Sequence, residues 1–154
     1  MVGEAPGEQE DVQGVPFVGP SGRLLRRLFR LGGIPEQGYY LVNVLKCRPP
    51  GNRDPAGDEI EACRPFLEAQ LTILAPRLIV CLGRIAGWQL LGSGEPSMRD
   101  MRGTVHQRGG ASVVVTYHPS ALLHKPEFRA ETWRDIKKIR RLADQLCLPV
   151  REGS

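Results

Sequence analysis

Leu78-Ile79-Val80-Cys81-Leu82 is an apolar run without one polar side chain, and Gly83 follows it at once. A helical pattern over residues 85–91 comes next and stops at Gly92. A short apolar run bounded by turn signals fits a strand. Strand, turn and helix in that order make a unit that recurs on either side. Toward the N-terminus, residues 58–75 set Ile60, Phe66, Leu67, Leu71 and Leu74 in a helix that ends before Pro76. Tyr39-Tyr40-Leu41-Val42-Asn43-Val44 reads as a strand, and Val2 as the stub of another. Residues 21–31 carry Leu24, Leu25, Leu28 and Leu31 at helical spacing, with Gly32-Gly33 as the stop. Toward the C-terminus, Ser112-Val113-Val114-Val115-Thr116-Tyr117 is a strand rich in β-branched residues, and residues 132–146 form a closing helix. Residues 92–110 and the stretch after His118 read as loops. The rhythm predicts a three-layer α/β/α sandwich around a mostly parallel four-stranded sheet. One domain is expected over residues 1–148, with a tail at 149–154.

In such sheets, ligands bind outside the carboxyl ends of the strands. Gly3-Glu4, Asn43 and His118 all fall at predicted carboxyl ends, which argues for one shared site. The Gly3-Glu4-Ala5-Pro6-Gly7 turn lacks the spacing of dinucleotide or triphosphate loops. Around it stand Glu4, Glu8, Glu10 and Asp11, either a solvated acidic loop or carboxylates that stabilise a cationic sugar in a transition state. Phe17, between Pro16 and Val18-Gly19, is either a satellite of the core or a stacking platform for a base. Asn43 ends an apolar strand. Its amide offers both an acceptor and donors, which matches a pyrimidine edge with a carbonyl and an N–H; a turn-forming Asn is the alternative. Pro119 directly after His118 forces the chain out of the strand and aims the imidazole outward. Leu122-Leu123 then follow, either packed down or free to act as a wedge in a base stack. His106 and His124 have no such setting.

At 154 residues and 41% hydrophobic content, the chain suits one soluble domain with a proper core. No run approaches the ~18 apolar residues that span a bilayer, and no secretory signal is visible, so a cytoplasmic location is expected. The net charge of +4 fits a polyanionic partner or a solvated basic surface. Arg23, Arg26, Arg27 and Arg30 share one helical segment. Arg134, Lys137, Lys138, Arg140 and Arg141 share another, around the apolar stripe of Ile136, Ile139 and Leu142. Four cysteines occur, Cys47, Cys63, Cys81 and Cys147, with no CxxC pair. Zinc-ligand spacing is absent, as is the G-x-S-x-G elbow of serine hydrolases. Cys81 reads as a buried core thiol; Cys47 and Cys63 stand beside basic residues.

Four ordered motifs resemble the family 4 uracil-DNA glycosylases. They are residues 3–11 (GEAPGEQED), 14–25 (GVPFVGPSGRLL), 42–50 (VNVLKCRPP) and 118–123 (HPSALL). The resemblance runs to about Leu146. It implies excision of uracil from DNA by hydrolysis of the N-glycosidic bond, as a monomer. It further implies that Phe17 stacks on the flipped base, Asn43 reads its Watson–Crick edge and His118 hydrogen-bonds O2. Pro119 and Ser120 would hold the backbone, and Leu122 would fill the gap in the stack. Ala5 would line the uracil pocket, where the best-known family of the superfamily has a water-activating aspartate. Glu4 and Glu10 are then the candidates for positioning water or stabilising the sugar cation. The related cross-linking branch carries a basic insert with a His after the Asn motif. Lys46-Cys47-Arg48-Pro49-Pro50 stands here instead, so plain hydrolysis is expected.

The resemblance also implies a [4Fe–4S] cluster on four thiolates. Cys47 and Cys63 match its last two ligands. The first two belong to an upstream CxxC that this chain lacks, so the expectation is a chain shortened at its N-terminus or one that has lost its cluster. Two rival readings are a DNA-binding remnant without catalysis and a glycosylase of altered base preference, such as hypoxanthine or thymine opposite guanine.

Overall fold

In the computed structural model, which describes residues 1–92 and 94–148, the run at 78–82 is the middle strand of a five-stranded sheet. The strands are β1 (Val2–Gly3), β2 (Val42–Asn43), β3 (Leu78–Leu82), β4 (His106–Arg108) and β5 (Ala111–Thr116), in spatial order β2-β1-β3-β5-β4. The first four in that order run parallel, with Val2 beside Val42 and Cys81, and Cys81 beside Val115. Parallel strands covered on both faces need apolar residues at every position rather than alternate ones. That is why residues 79–82 and 113–115 are all buried.

The pleat divides these side chains between two cores. Ile79, Cys81, Val113 and Val115 share one with Val2 and Val42. Against them pack Leu67 and Leu71 of α3 (Gly57–Leu74) and Ala86 and Leu90 of α4 (Arg84–Leu91). Val80, Leu82 and Val114 face the other way, onto Leu25 and Phe29 of α2 (Pro20–Leu31) and Ile136 and Ile139 of α7 (Arg129–Gln145). The result is the expected three-layer sandwich. A short α1 (Glu8–Gln13) follows the first turn.

Three local expectations are corrected. The sheet has a fifth strand, β4, inside the stretch read as loop. It pairs antiparallel with β5 across the Gly109-Gly110 turn, where φ is 52° and 83°. Two consecutive positive-φ residues make the tight hairpin that suits strand twist. Its sequence, His106-Gln107-Arg108, has no apolar run because it lies at a polar edge. The same stretch also holds α5 (Met98–Met101), capped by Ser97 and Asp100.

Residues 119–124, also read as loop, form α6 (Pro119–His124). The His118 side chain accepts the Ser120 N–H and so caps the helix, while Pro119 takes the first helical position, where no N–H is required. Pro119 and Leu122, three residues apart, both turn inward as α6 packs on α2. The Tyr39–Leu41 part of the expected strand is irregular, and only Val42–Asn43 pairs. No described helix is long and apolar enough to cross a membrane. The tail expected at 149–154 lies outside the described residues.

Candidate functional site

All four parallel strands end at one edge of the sheet, and a cavity of about 580 Å³ opens there. Glu4 and Ala5 after β1, Asn43 at the end of β2 and His118 after β5 all line it, with Glu10, Phe17 and Ser120. Of the sequence-predicted residues, Glu4, Ala5, Glu10, Phe17, Asn43, His118 and Ser120 are therefore brought together, whereas Pro119, Leu122, Cys47 and Cys63 do not line the cavity.

Gly3 makes the floor possible. A Cβ there would lie 2.5 Å from Asn43 Oδ1 and 2.5 Å from the Phe17 ring. With only hydrogen at that position, the amide and the ring close over the strand end. Asn43 is buried and its Oδ1 has no hydrogen-bond partner among the described residues. An unpaired buried acceptor costs about 1–3 kcal/mol, so this oxygen is set to receive a donor from a ligand. The turn is pinned from below: Lys46 Nζ donates to the Asn43 carbonyl and to Gln70 Oε1, each at 2.6 Å.

Phe17 sits in the left-handed region at φ 58°, costly for a bulky residue. Three contacts hold it there. Arg26 donates to its carbonyl, and the Arg26 Nε is itself set by Glu36 at 2.6 Å. Gly22 packs directly beneath that carbonyl, where any Cβ would collide with it. The ring centroid lies 6.1 Å from that of His118, tilted by 35°. The ring and the imidazole thus form two walls of one slot.

His118 Nδ1 lies 3.2 Å from the Ser120 N–H and 2.7 Å from Ser120 Oγ. Because the backbone N–H can only donate, Nδ1 is the acceptor and the proton of the neutral ring is on Nε2. Burial pushes the imidazole pKa down to about 4, against an upward pull from Glu10. At neutral pH the ring is an uncharged Nε2–H donor.

The two carboxylates differ. Burial raises the Glu4 pKa, Asp54 adds to the rise and Arg84 opposes it. Arg84 is paired to Asp54. Glu10 is engaged: its Oε1 accepts the Gly19 N–H at 2.7 Å. Pro119 is buried at the start of α6, and Ser120 faces the cavity. Leu122 is corrected: it is 1% exposed and belongs to the interior, whereas Leu123 is 43% exposed.

The cluster expectation meets half a site. Lys46 N–H lies 3.4 Å from Cys63 Sγ, which brings that thiol beside the backbone preceding Cys47. No group of three or more His, Cys, Asp or Glu among the described residues could hold a metal. Two thiols do not make the four-thiolate set that a [4Fe–4S] cluster requires, so the described residues do not by themselves fit it. Cys81 is fully buried in β3, where burial pushes its thiol up to about 12, and cannot replace a ligand.

Residue-by-residue reading missed Arg26, which looked like one cation of a basic helix face. Gly22 carried a signal, a glycine inside an otherwise regular helical pattern. His124, given no role, lines the cavity, while His106 Nε2 bonds the Met101 carbonyl in the fold.

The family model described as the uracil DNA glycosylase superfamily matches residues 1–137. A type-4 uracil-DNA glycosylase of Archaeoglobus fulgidus is 43% identical over 146 residues, covering 90% of this chain and 73% of that protein. The type-4 enzyme of Sulfurisphaera tokodaii is 43% identical over 151 residues, 93% of this chain and 69% of the relative. That of Thermotoga maritima is 44% identical over 143 residues, 91% and 74% respectively.

Proposed function

The chain belongs to the uracil DNA glycosylase superfamily, in its type-4 branch, and from that premise we propose that it excises uracil from DNA. The reaction is hydrolysis of the N-glycosidic bond of deoxyuridine, leaving free uracil and an abasic site. One observation carries the reading: the orphaned Oδ1 of Asn43, facing the Phe17 ring across Gly3.

A flipped uracil enters the slot and stacks on Phe17. Asn43 Oδ1 accepts the uracil N3–H, and its amide N–H₂ donates to O4. Cytosine presents the opposite pattern at both positions, an acceptor at N3 and a donor at N4, so it leaves Asn43 unpaired on both counts. His118 Nε2–H donates to O2. As the C1′–N1 bond breaks, its electron pair passes to the base, and the donor at O2 stabilises that charge. Water delivers hydroxide to the cationic C1′, and its remaining proton goes to the base or to solvent. Glu4, facing the cavity and with no ion pair among the described residues, is the carboxylate suited to the sugar cation and the water. Ala5 leaves room beside it. Glu10 holds the Phe17 loop from Gly19.

Pro119 and Ser120 turn the chain beside the emerging strand. The exposed Leu123, rather than Leu122, is the side chain free to enter the stack. In this scheme one catalytic domain over residues 1–148 acts as a monomer. Cys47 and Cys63 are the positions where two of the four ligands of an iron–sulfur cluster would stand, and no step runs through it.

Uracil release from an oligonucleotide with one deoxyuridine, beside a thymidine control and His118→Ala, tests the proposal. Strand scission after alkali with deoxyuridine alone, lost in the variant, is expected. No scission by folded protein overturns it in favour of a binding remnant.

A further inference from the structure

A second polar cleft, of about 510 Å³, lies on the far side of the turn that carries His118. Its walls come from α5, the turn after it and the first half of α7, with Arg99, Arg102, Tyr117, Glu131, Arg134 and Lys138 among the lining residues. Nothing in the scheme above uses it.

The cleft is built around a fixed cation. The Arg102 guanidinium pairs with Asp135 at 2.9 Å and with Glu131, and lies 4.4 Å over the Tyr117 ring. Phe128 stacks on the other face of that ring at 4.1 Å, with the planes 5° apart. The Tyr117 hydroxyl donates to Glu131 at 3.0 Å, and Thr116 Oγ1 donates to Asp135 at 2.7 Å. Both carboxylates of the cleft are thus committed to Arg102 and its neighbours. Four cations line the cleft against these two carboxylates, a net excess of two positive charges, and three of the four lie outside the Arg102 network. Arg99 and Arg134 are exposed and make no ion pair among the described residues, and Lys138 bonds only the Gly103 carbonyl, at 2.5 Å. An excess of positive charge on a rigid wall suits an anion with several oxygens.

Its location selects the anion. Tyr117 and His118 are consecutive, so the cleft and the uracil pocket flank one turn at the same edge of the sheet. We propose that Arg99, Arg134 and Lys138 hold backbone phosphates of the DNA beyond the flipped nucleotide. This rests on the glycosylase reading for its substrate. Such contacts fix the register of the strand while leaving base choice to Asn43.

The test is binding of a fluorescent 30-nucleotide duplex with one deoxyuridine, titrated against salt. It compares wild type, Arg99→Gln, Arg134→Gln, Lys138→Gln and their triple variant. Arg77→Gln, at the amino end of β3, is the control. Each lost phosphate contact is expected to make the slope of log K against log salt shallower by about 0.9. The KM for uracil release should rise while kcat holds, and Arg77→Gln should match wild type in both. Thermal melting of each variant at the wild-type temperature establishes that it is folded. If Lys138→Gln melts low because its bond to Gly103 is lost, the Arg99/Arg134 double variant decides the matter. Slopes and KM equal to wild type in folded variants overturn the proposal. A wild type that binds duplex but releases no uracil would overturn the glycosylase reading instead, and the salt slopes would still judge the cleft.

Discussion

The Glu10 carboxylate accepts the Gly19 N–H at 2.7 Å and so ties the turn after β1 to the loop that presents Phe17. Cβ atoms at Gly7 or Gly19 would meet that same carboxylate, at 2.7 Å and 3.1 Å. Two glycines thus make room for one side chain between two loops.

If Glu10 acts by holding that loop, an acceptor matters more than a charge. Glu10→Gln keeps an oxygen for the Gly19 N–H, whereas Glu10→Ala leaves it empty. A hydrogen bond to a charged group is worth about 1.5–3 kcal/mol, so Glu10→Ala is expected to lose roughly ten- to a hundredfold in kcat/KM. Glu10→Gln should lose much less. Steady-state kinetics of the pair decide it, and equal losses in both would mark Glu10 as a base.

The pH dependence separates Glu4 from His118. His118 titrates at about 4 in the fold, so its ring stays a neutral donor through the working range. Glu4 titrates above its ordinary value, because burial disfavours its charged form. On lowering the pH, Glu4 therefore takes up its proton first. The acid limb of kcat/KM should belong to Glu4 and vanish in Glu4→Gln, with the residual rate flat above about pH 5. An acid limb that survives in Glu4→Gln would remove it from the reaction.

Stability follows His118 with a defined sign. Its folded pKa of about 4 is below the unfolded value of about 6.5, so the unfolded chain binds the proton more tightly. Its contribution is complete above about pH 6.5 and is lost as pH falls through that window to about 4. The loss amounts to roughly 3 kcal/mol. Urea denaturation at neutral pH and near the folded pKa should show this part of the decline in wild type and not in His118→Gln.

Arg26 acts through Phe17. Arg26→Ala removes the donor to the Phe17 carbonyl and releases a left-handed residue toward its preferred conformation. The expected result is a rise in KM, with kcat reduced less, and partial rescue by Arg26→Lys. Gly22→Ala drives a methyl into the same carbonyl and should be the more damaging change. Intrinsic Trp fluorescence and melting distinguish a displaced loop from an unfolded chain. Unchanged kinetics in folded Arg26→Ala would remove it as a positioning residue.

Base choice depends on the Asn43 amide. Asn43→Asp replaces the donor toward uracil O4 with a second oxygen. Loss of that bond and repulsion of O4 should lower uracil release by about a hundredfold or more. The ratio of cytosine to uracil release should rise, measured on matched oligonucleotides. A ratio equal to wild type would mean that Asn43 does not read the base.

Most of the framework was legible along the chain. Residues 79–82 and 113–115 are apolar at every position because both faces of the parallel strands are covered, and that pattern is visible without coordinates. The helices at 20–31, 57–74 and 129–145 declare themselves by period and by their stops. The strand β4 did not, since an edge strand buries little and has no apolar signature. Nor did α6, whose six residues take their start from a histidine cap rather than from a long stripe. Leu122 and Leu123 are identical in type, and only the helical turn sends one inward and the other out.

The layer order, the strand ends at which Gly3, Asn43 and His118 meet, and the family to which their motifs belong can all be read along the chain, because local period and motif spacing are properties of neighbouring residues. The remaining features arise from packing in three dimensions. Packing left the Asn43 oxygen without a partner among the described residues, gave the His118 proton to Nε2, put Arg26 under Phe17 and left a net excess of positive charge beside Tyr117. Burial, charge balance and hydrogen-bond saturation are set by the atoms that surround a group in space, and no local pattern of residue types encodes them.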